Sequence, residues 1–416
     1  MSPPRGLNAL HIRPGHPDFL ELPWHLPLAE WKGQCPRLVE VPRGLSRHEV
    51  VFVSYGNVVY ALKQLPARVG QREYDLLRGL EERRLPAVTA VGLARQRAAE
   101  EPGGELAVLI TQYLANSLPY RLLFMSAGLE RYRERLLDAM AILLVRLHLG
   151  GFFWGDCSLS NILFRRDAGE LQAYAVDAET SELHTALSDG QRKLDLLILE
   201  ENVAGDLSDL AVVVPLPPTL DVFDTSRIIR QRYEQLWHEI NKEILISPAE
   251  SYRIHERIRA LNSLGFSVGE VDLVASGDGS QLRMRTLVAD REYHRHQIHS
   301  LIGIVAEEKQ ATLLLNEIHE LKATLSRRLD RSVPQSVAAF RWLEERFTPT
   351  VSRLQEQLGP DADEAELYCQ VLEHKWFLSE RALRDVGLEA ALADYVRLRR
   401  QQPASPPIPS VTAEDD

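Results

Sequence analysis

The stretch from Leu147 to Glu179 constrains this chain more than any other. It reads Leu147-His148-Leu149-Gly150-Gly151-Phe152-Phe153-Trp154-Gly155-Asp156-Cys157-Ser158-Leu159-Ser160-Asn161-Ile162-Leu163-Phe164 and, after a turn, Ala175-Val176-Asp177-Ala178-Glu179. Three polar residues, Asp156, Asn161 and Asp177, stand between apolar runs. A core strand does not place an Asp and an Asn five residues apart ahead of Ile162-Leu163-Phe164. A site for phosphoryl transfer does. It needs one carboxylate to orient the attacking hydroxyl, and an amide oxygen and a second carboxylate to hold magnesium.

The parts such a site needs upstream are present in order. The β-rich runs Glu49–Tyr55 and Val58–Lys63 meet at Gly56-Asn57, which reads as a hairpin. Lys63 ends the second run. Ten residues on, Gln71–Leu80 is helical in pattern, with Glu73 near its first turn and Leu76, Leu77 and Leu80 as the buried stripe. A strand lysine paired with a helix glutamate is how a kinase positions the α- and β-phosphates. Ala107–Leu114 reads as a buried strand running into the polar link Ala115-Asn116-Ser117, with a hinge between lobes at Gln112 to Ala115. In a two-lobed nucleotide enzyme such a link presents backbone groups to the adenine, which makes Gln112, Tyr113 and Leu114 the candidates here. Leu129–Leu149 has the spacing of a long central helix that feeds the loop at Asp156.

On these residues the chain resembles the protein-kinase-like superfamily, and within it the lipopolysaccharide-kinase and aminoglycoside-phosphotransferase-like branch. The resemblance rests on Ala61-Leu62-Lys63, Glu73, His148, Asp156, Asn161 and Asp177, and covers roughly residues 38 to 215. It implies an α+β, two-lobed protein-kinase-like fold, with a small antiparallel-sheet lobe and a larger helical lobe. It implies ATP and Mg2+ as cofactors. Lys63 would contact the α/β-phosphates and Glu73 would hold Lys63. Asp156 would be the catalytic base, with Asn161 and Asp177 as magnesium ligands. Glu179, two residues after Asp177 and on the same face of an extended backbone, is a second candidate ligand.

Departures from the family are equally specific. The segment Pro42–His48 holds one glycine where a glycine-rich loop is expected, and Arg43, Arg47 or His48 are candidates for phosphate contact instead. Gly155 replaces the arginine that reads a phosphorylated activation loop, so that form of regulation is not expected. The metal segment reads Asp-Ala-Glu rather than Asp-Phe-Gly. No catalytic group is missing, which favours an active phosphotransferase over the alternative, a nucleotide-binding pseudokinase that regulates a partner through its C-terminal half. Cys157 has no His or Asn partner nearby in sequence and reads as a packing residue.

The flanking regions carry weaker signals. Residues 1–37 form an N-terminal segment with an aromatic patch at Phe19, Trp24 and Trp31, expected to pack over the first domain. Ser181–Gly190 is loop-like, a helix is expected over 195–210, and Val212–Pro218 breaks it. Residues 219–400 are expected to form a mainly helical domain carrying one β-hairpin, 271–275 with 282–288. Its helices are expected over 228–246, 251–264, 291–306, 307–330, 334–347, 363–375 and 379–398. Ser251–Leu315 and His374–Glu380 are similar to a C-terminal domain of unknown function fused to such kinase-like domains in bacteria, which implies no activity. In Arg291–His299 the three histidines do not share a helix face, so a solvated helix is expected rather than a metal site. Residues 401–416, rich in proline and acidic at the end, are expected to be a disordered tail.

The net charge of -11 argues against a nucleic-acid-binding protein, since phosphate contacts need clustered Lys and Arg. A nucleic-acid-binding C-terminal half with a kinase-like switch is therefore the weakest reading. Three widely spaced cysteines, Cys35, Cys157 and Cys369, imply neither a disulfide framework nor a zinc site and fit a cytoplasmic address. No secretory signal follows Met1, and the longest apolar stretch, Ala139–Leu149, is interrupted by Arg146 and His148, so no membrane span is expected. The expected partners are a nucleotide, an acceptor hydroxyl on a small molecule, sugar, lipid or protein, and a protein docked on 219–400.

Overall fold

A strand sheet with one lysine facing a helix is the first consequence of this patterning. The computed structural model describes residues 6–41, 47–97, 105–125, 132–216, 221–242, 244–246, 268–275, 282–288, 293–358 and 363–401. The chain forms two units, Met1–Arg165 with Gln172–Leu236, and Arg166–Leu171 with Trp237–Asp416.

In the first unit, β1 (Leu7–Ile12), β2 (Val50–Tyr55), β3 (Val58–Pro66), β4 (Thr89–Arg97) and β5 (Glu105–Gln112) make one antiparallel sheet in the order β1-β4-β5-β3-β2, with α1 (Ala67–Glu82) between β3 and β4. The two faces of β3 have different fates because side chains alternate along a strand. Tyr60 and Leu62 join a core with Phe19, Leu22, Trp24, Leu28 and Trp31 from the N-terminal segment. Phe19 stands edge-on to both Tyr55 and Tyr60, with ring centroids 5.0 Å apart in each case. That segment also supplies β1, a strand its proline- and histidine-rich sequence did not announce. Ala61, Lys63 and Leu65 share the opposite face. α1 starts at Ala67, four residues before the helical pattern was read, because Pro66 sits at its N-cap. Its buried stripe is Glu73, Tyr74, Leu77 and Leu80. Leu76 is only half-buried and Tyr74 takes its place.

The larger lobe of this unit contains β6 (Ser117–Pro119), α2 (Tyr120–Met125), α3 (Tyr132–Leu149), β7 (Phe152–Phe153), β8 (Ile162–Asp167), β9 (Glu170–Ala175), β10 (Glu182–Leu183), α4 (Asp189–Val213) and α5 (Val222–Asn241), the last crossing into the second unit. α3 is apolar nearly all round, as a helix enclosed by protein must be, with Leu136, Met140, Leu143, Leu144 and Leu147 fully buried. β6-β8-β9 form one small sheet and β7-β10 another. α4 is longer than its apolar pattern because Ser188 and Gln191 form a reciprocal capping box at its start.

The second unit takes in the turn of the β8–β9 hairpin and continues with β11 (Ile244–Ile246), β12 (Val268–Ala275) and β13 (Leu282–Val288), antiparallel in the order β11-β13-β12. The expected hairpin is therefore present, with β11 added to it. α6 (Tyr293–Ile302), α7 (Glu308–Leu329), α8 (Gln335–Trp342), a wide helical turn (Leu343–Phe347), α9 (Thr348–Leu358), α10 (Glu364–Ala382) and α11 (Leu388–Gln401) follow. Their core gathers Leu314, Ile318, Trp342, Phe347 and Tyr368. α10 runs unbroken through residues 375–379, where the sequence suggested a break, and ends at Leu383 in the left-handed conformation. Asp167, in the hairpin turn, accepts from the N–H groups of Lys309 and Gln310 at 3.2 and 2.8 Å and so caps the start of α7. His294 pairs with Glu308, Ile298 is buried and His296 is exposed, so the histidine patch does not converge.

The helix expected over 251–264, the hairpin turn 276–280, Arg43 and residues 402–416 of the expected tail lie outside the described residues. The fold is α+β and kinase-like in its first unit and mainly helical in its second. No helix among the described residues is long and apolar enough to cross a membrane.

β1 reaches β4 only because Gly92 has no side chain. A Cβ there would run into the His11 carbonyl oxygen and the Ile12 side chain, and the pairing of β4 with β5 shifts register between Ala90 and Gly92. Gly92→Ala is expected to destabilise by about 1–3 kcal/mol, the usual cost of forcing volume into a packed site, read as a lower urea midpoint at unchanged slope.

Candidate active site

Lys63 arrives from β3 and Glu73 from α1. The Lys63 Nζ lies 3.1 and 3.2 Å from the two Glu73 oxygens, 2.6 Å from Asp177 Oδ2 and 3.8 Å from Glu179 Oε2. Glu73 is fully buried in the apolar stripe of α1. Burial pushes its carboxyl up to about 7, the Asp177 carboxylate adds to the shift, and Lys63 opposes it. For Lys63 burial works against the charge, but Glu73 and Asp177 outweigh it and hold the ammonium above its ordinary range. Lys63 therefore stays charged, and Glu73 is the member of the pair that answers to pH.

Asp177 and Glu179 follow β9. The Glu179 N–H donates to Asp177 Oδ1 at 3.0 Å, and the Trp154 ring N–H donates to the Asp177 carbonyl at 3.0 Å. Glu73, Asp177 and Glu179 offer ligand atoms within 4.8 Å of one another, the cluster among the described residues that could hold a metal ion. Glu73 is fully buried with both oxygens on Lys63, whereas Asp177 and Glu179 are partly exposed and are the members open to an incoming ion. Carboxylate oxygens are the donors magnesium takes, so the residues present fit that ion.

Asp156 and Asn161 form the other half of the site. Asn161 Nδ2 donates to Asp156 Oδ2 at 3.1 Å and to the Asp156 carbonyl at 3.0 Å, which turns the Asn161 amide oxygen away from Asp156. The two halves are joined by the backbone, Val176 N–H to Asn161 carbonyl, 3.1 Å. Asp156 follows Gly155, whose φ of +75° and whose close approach to the Thr180 carbonyl both require glycine. Cys157 is fully buried, and burial, with Asp195 and Asp156 nearby, pushes its thiol well above the ordinary range, so it is a packing residue.

Other predicted residues take different places. The Tyr113 N–H is already bonded to the Val59 carbonyl at 2.9 Å, and its ring stands edge-on to Phe52. Gln112 is paired within the sheet, and the Leu114 carbonyl accepts from Ser117 at 3.2 Å. Any base held by this link would have to use its remaining backbone groups. Arg47 is exposed, 3.9 Å from Asp156 Oδ2. His48 Nε2 is 2.9 Å from Glu179 Oε2.

Three residues on α4 went unnoticed in the sequence. Asp195, fully buried, accepts from the N–H groups of Trp154 and Gly155 at 2.8 and 2.9 Å and from His148 Nε2 at 3.0 Å. Burial holds His148 below its usual range, with Asp195 opposing, so the neutral ring donates to Asp195 through Nε2 and accepts from the Tyr233 hydroxyl, 2.7 Å away, through Nδ1. Asn202 Nδ2 donates to Asp156 Oδ1 at 2.9 Å. Asp206 accepts from the Ser160 N–H at 3.0 Å and from its hydroxyl. The signal was available: 195, 202 and 206 share a face at helical spacing, interrupting Leu199 and Val203.

Two outcomes follow. Asp195→Ala strands two buried donors, the Trp154 N–H and the His148 ring, and the half-buried Gly155 N–H, and is expected to cost about 3 kcal/mol, measured by chemical denaturation. Glu73 has a raised folded pKa, so its contribution to stability is complete below the unfolded carboxylate range and is lost as pH rises through about 7. The melting temperature of Glu73→Gln, relative to the parent protein, is therefore expected to climb as pH rises from the ordinary carboxylate range to about 7 and to level off above it.

Residues 57–211 match the Lipopolysaccharide kinase (Kdo/WaaP) family, and residues 235–399 match a Domain of unknown function (DUF4032). No curated protein sequence matches the chain. Among solved structures, a chain titled "WaaP in complex with acyl carrier protein" is similar at 16% identity and a TM-score of 0.37, covering 62% of this chain and 99% of that one. The resemblance read from the sequence is thus borne out: the chain is similar to lipopolysaccharide kinases over 57–211 and, over 235–399, to a family without assigned function.

Proposed function

We propose that this chain is a phosphotransferase that moves the terminal phosphoryl group of ATP, as its magnesium complex, to an acceptor hydroxyl. The observation that carries the reading is the Asp156 carboxylate, bonded on one oxygen by Asn161 and on the other by Asn202, beside the Lys63–Glu73–Asp177 cluster. The similarity of residues 57–211 to a kinase family supports it.

Asp156 orients the acceptor hydroxyl and takes its proton as the new oxygen–phosphorus bond forms and the bond to the bridging oxygen of the departing ADP breaks. The two amide donors hold the carboxylate plane, so its orientation is set before the acceptor arrives. Lys63, aimed by Glu73, meets the α- and β-phosphate oxygens. Asp177, Glu179 and the Asn161 amide oxygen are the groups that would hold magnesium. Magnesium, when bound, neutralises charge that builds up on the phosphoryl oxygens.

A thermal-shift titration with ATP and magnesium tests the reading, since a ligand of the folded state raises the melting temperature. The parent protein is expected to show a magnesium-dependent rise that Lys63→Ala and Asp177→Ala lose. Asp156→Ala is expected to keep the rise and to lose transfer by about 10²-fold or more, the scale of general-base contributions. No rise at millimolar ATP would sink the reading. A rise with no turnover in the parent protein would make the chain a nucleotide-binding pseudokinase.

A further inference from the structure

The two sides of the segment where a glycine-rich loop is expected lie in or beside the sheet. Leu38 bridges Val53 of β2 in antiparallel fashion, and Val39 N–H bonds to the Phe52 carbonyl at 3.0 Å. A glycine-rich loop in that position binds phosphate with close-packed backbone N–H groups, which needs several glycines. This chain has Gly44 alone.

His48, two residues before β2, reaches into the acidic cluster. A single oxygen, Glu179 Oε2, stands 2.9 Å from His48 Nε2 and 3.8 Å from Lys63 Nζ. An anionic oxygen is thus already held between a ring N–H and an ammonium. Lys63 is the residue that meets phosphate oxygens under the phosphotransferase reading, on which this inference rests. We propose that His48 and Lys63 together form a two-point site for a phosphate oxygen of a nucleoside triphosphate, and that Glu179 fills this position until the nucleotide arrives.

The chemistry is self-consistent. Without nucleotide, donors meant for phosphate pair with carboxylates meant for a metal ion. When a metal–triphosphate complex enters, His48 and Lys63 take phosphate oxygens and the Glu179 carboxylate is released to the cation. No bond is made or broken, and the site exchanges one set of opposite-charge contacts for another. A side chain thereby performs the role that the missing glycines leave open. His48 lies outside the segment 57–211 that matches the kinase family, so that match says nothing about it.

Calorimetric titration of the full chain with ATP, with and without magnesium, and with adenosine as a control, decides the matter. His48→Ala is expected to weaken ATP with magnesium by about tenfold, the low end for a hydrogen bond to a charged group, and to change adenosine affinity by less than about twofold on the same accounting, since adenosine carries no phosphate for the lost donor to meet. His48→Lys is expected to recover most of the loss. Glu179→Gln, by removing the competing carboxylate, is expected to strengthen binding of ATP without magnesium. Equal ATP affinity for His48→Ala and the parent, while Lys63→Ala loses binding, overturns this proposal and leaves the phosphotransferase reading standing. Failure of Glu179→Gln to strengthen magnesium-free binding overturns the exchange. No ATP binding by the parent protein overturns both readings together.

Discussion

A carboxylate buried in the apolar stripe of a helix is the constraint on which the first unit depends. Glu73 occupies a position on α1 beside Tyr74 and one turn before Leu77 that hydrophobic spacing would give to a leucine. A charge there is costly unless it meets an opposite charge and hydrogen-bond donors. Lys63 supplies the first, from the face of β3 turned toward α1, and the Ala178 N–H supplies a donor at 3.5 Å. The pair therefore ties α1 to the sheet and to the segment that carries Asp177 and Glu179. The same desolvation that makes the pair demanding also aims the Lys63 ammonium at Asp177. Placement of the helix and preparation of the site are one event.

The Asp156 loop is shaped by a second helix. α4 presents Asp195, Asn202 and Asp206 along one face, and each takes a different part of the loop: the backbone at Trp154 and Gly155, the side chain of Asp156, and Ser160. Loop backbone enclosed by protein must find partners for its polar groups. Here a regular helix supplies them, which gives a loop the positional definition of secondary structure. His148 and Tyr233 extend the network away from the site and anchor Asp195 itself.

Much of this was legible in the residues. Asp156, Asn161 and Asp177 stand out because polar residues between apolar runs are expensive to bury and need a reason. Lys63 and Glu73 were legible as a pair only through their order along the chain. β1 was not legible, because Leu7–Ile12 has no strict alternation and is stabilised by its neighbour β4 and by the aromatic cover of Phe19, Trp24 and Trp31. In the second unit the β12–β13 hairpin was visible from its alternation. The end of α10 was not, since His374-Lys375-Trp376-Phe377 contains no helix breaker and the stop falls at Leu383.

The sequence by itself determined the order of the acidic residues and lysine, on which the resemblance to kinase-like proteins rests, and the presence of a second, helical domain, because these depend on spacing and periodicity along the chain. Only the tertiary structure decided which oxygen each nitrogen meets. Asn202 and Asp195 lie 46 and 41 residues from Asp156 and Trp154, and His48 lies 131 residues from Glu179. Hydrogen bonds act over about 3 Å in space and carry no trace in local sequence. Partners so far apart are brought together only when the sheet, α1 and α4 have packed.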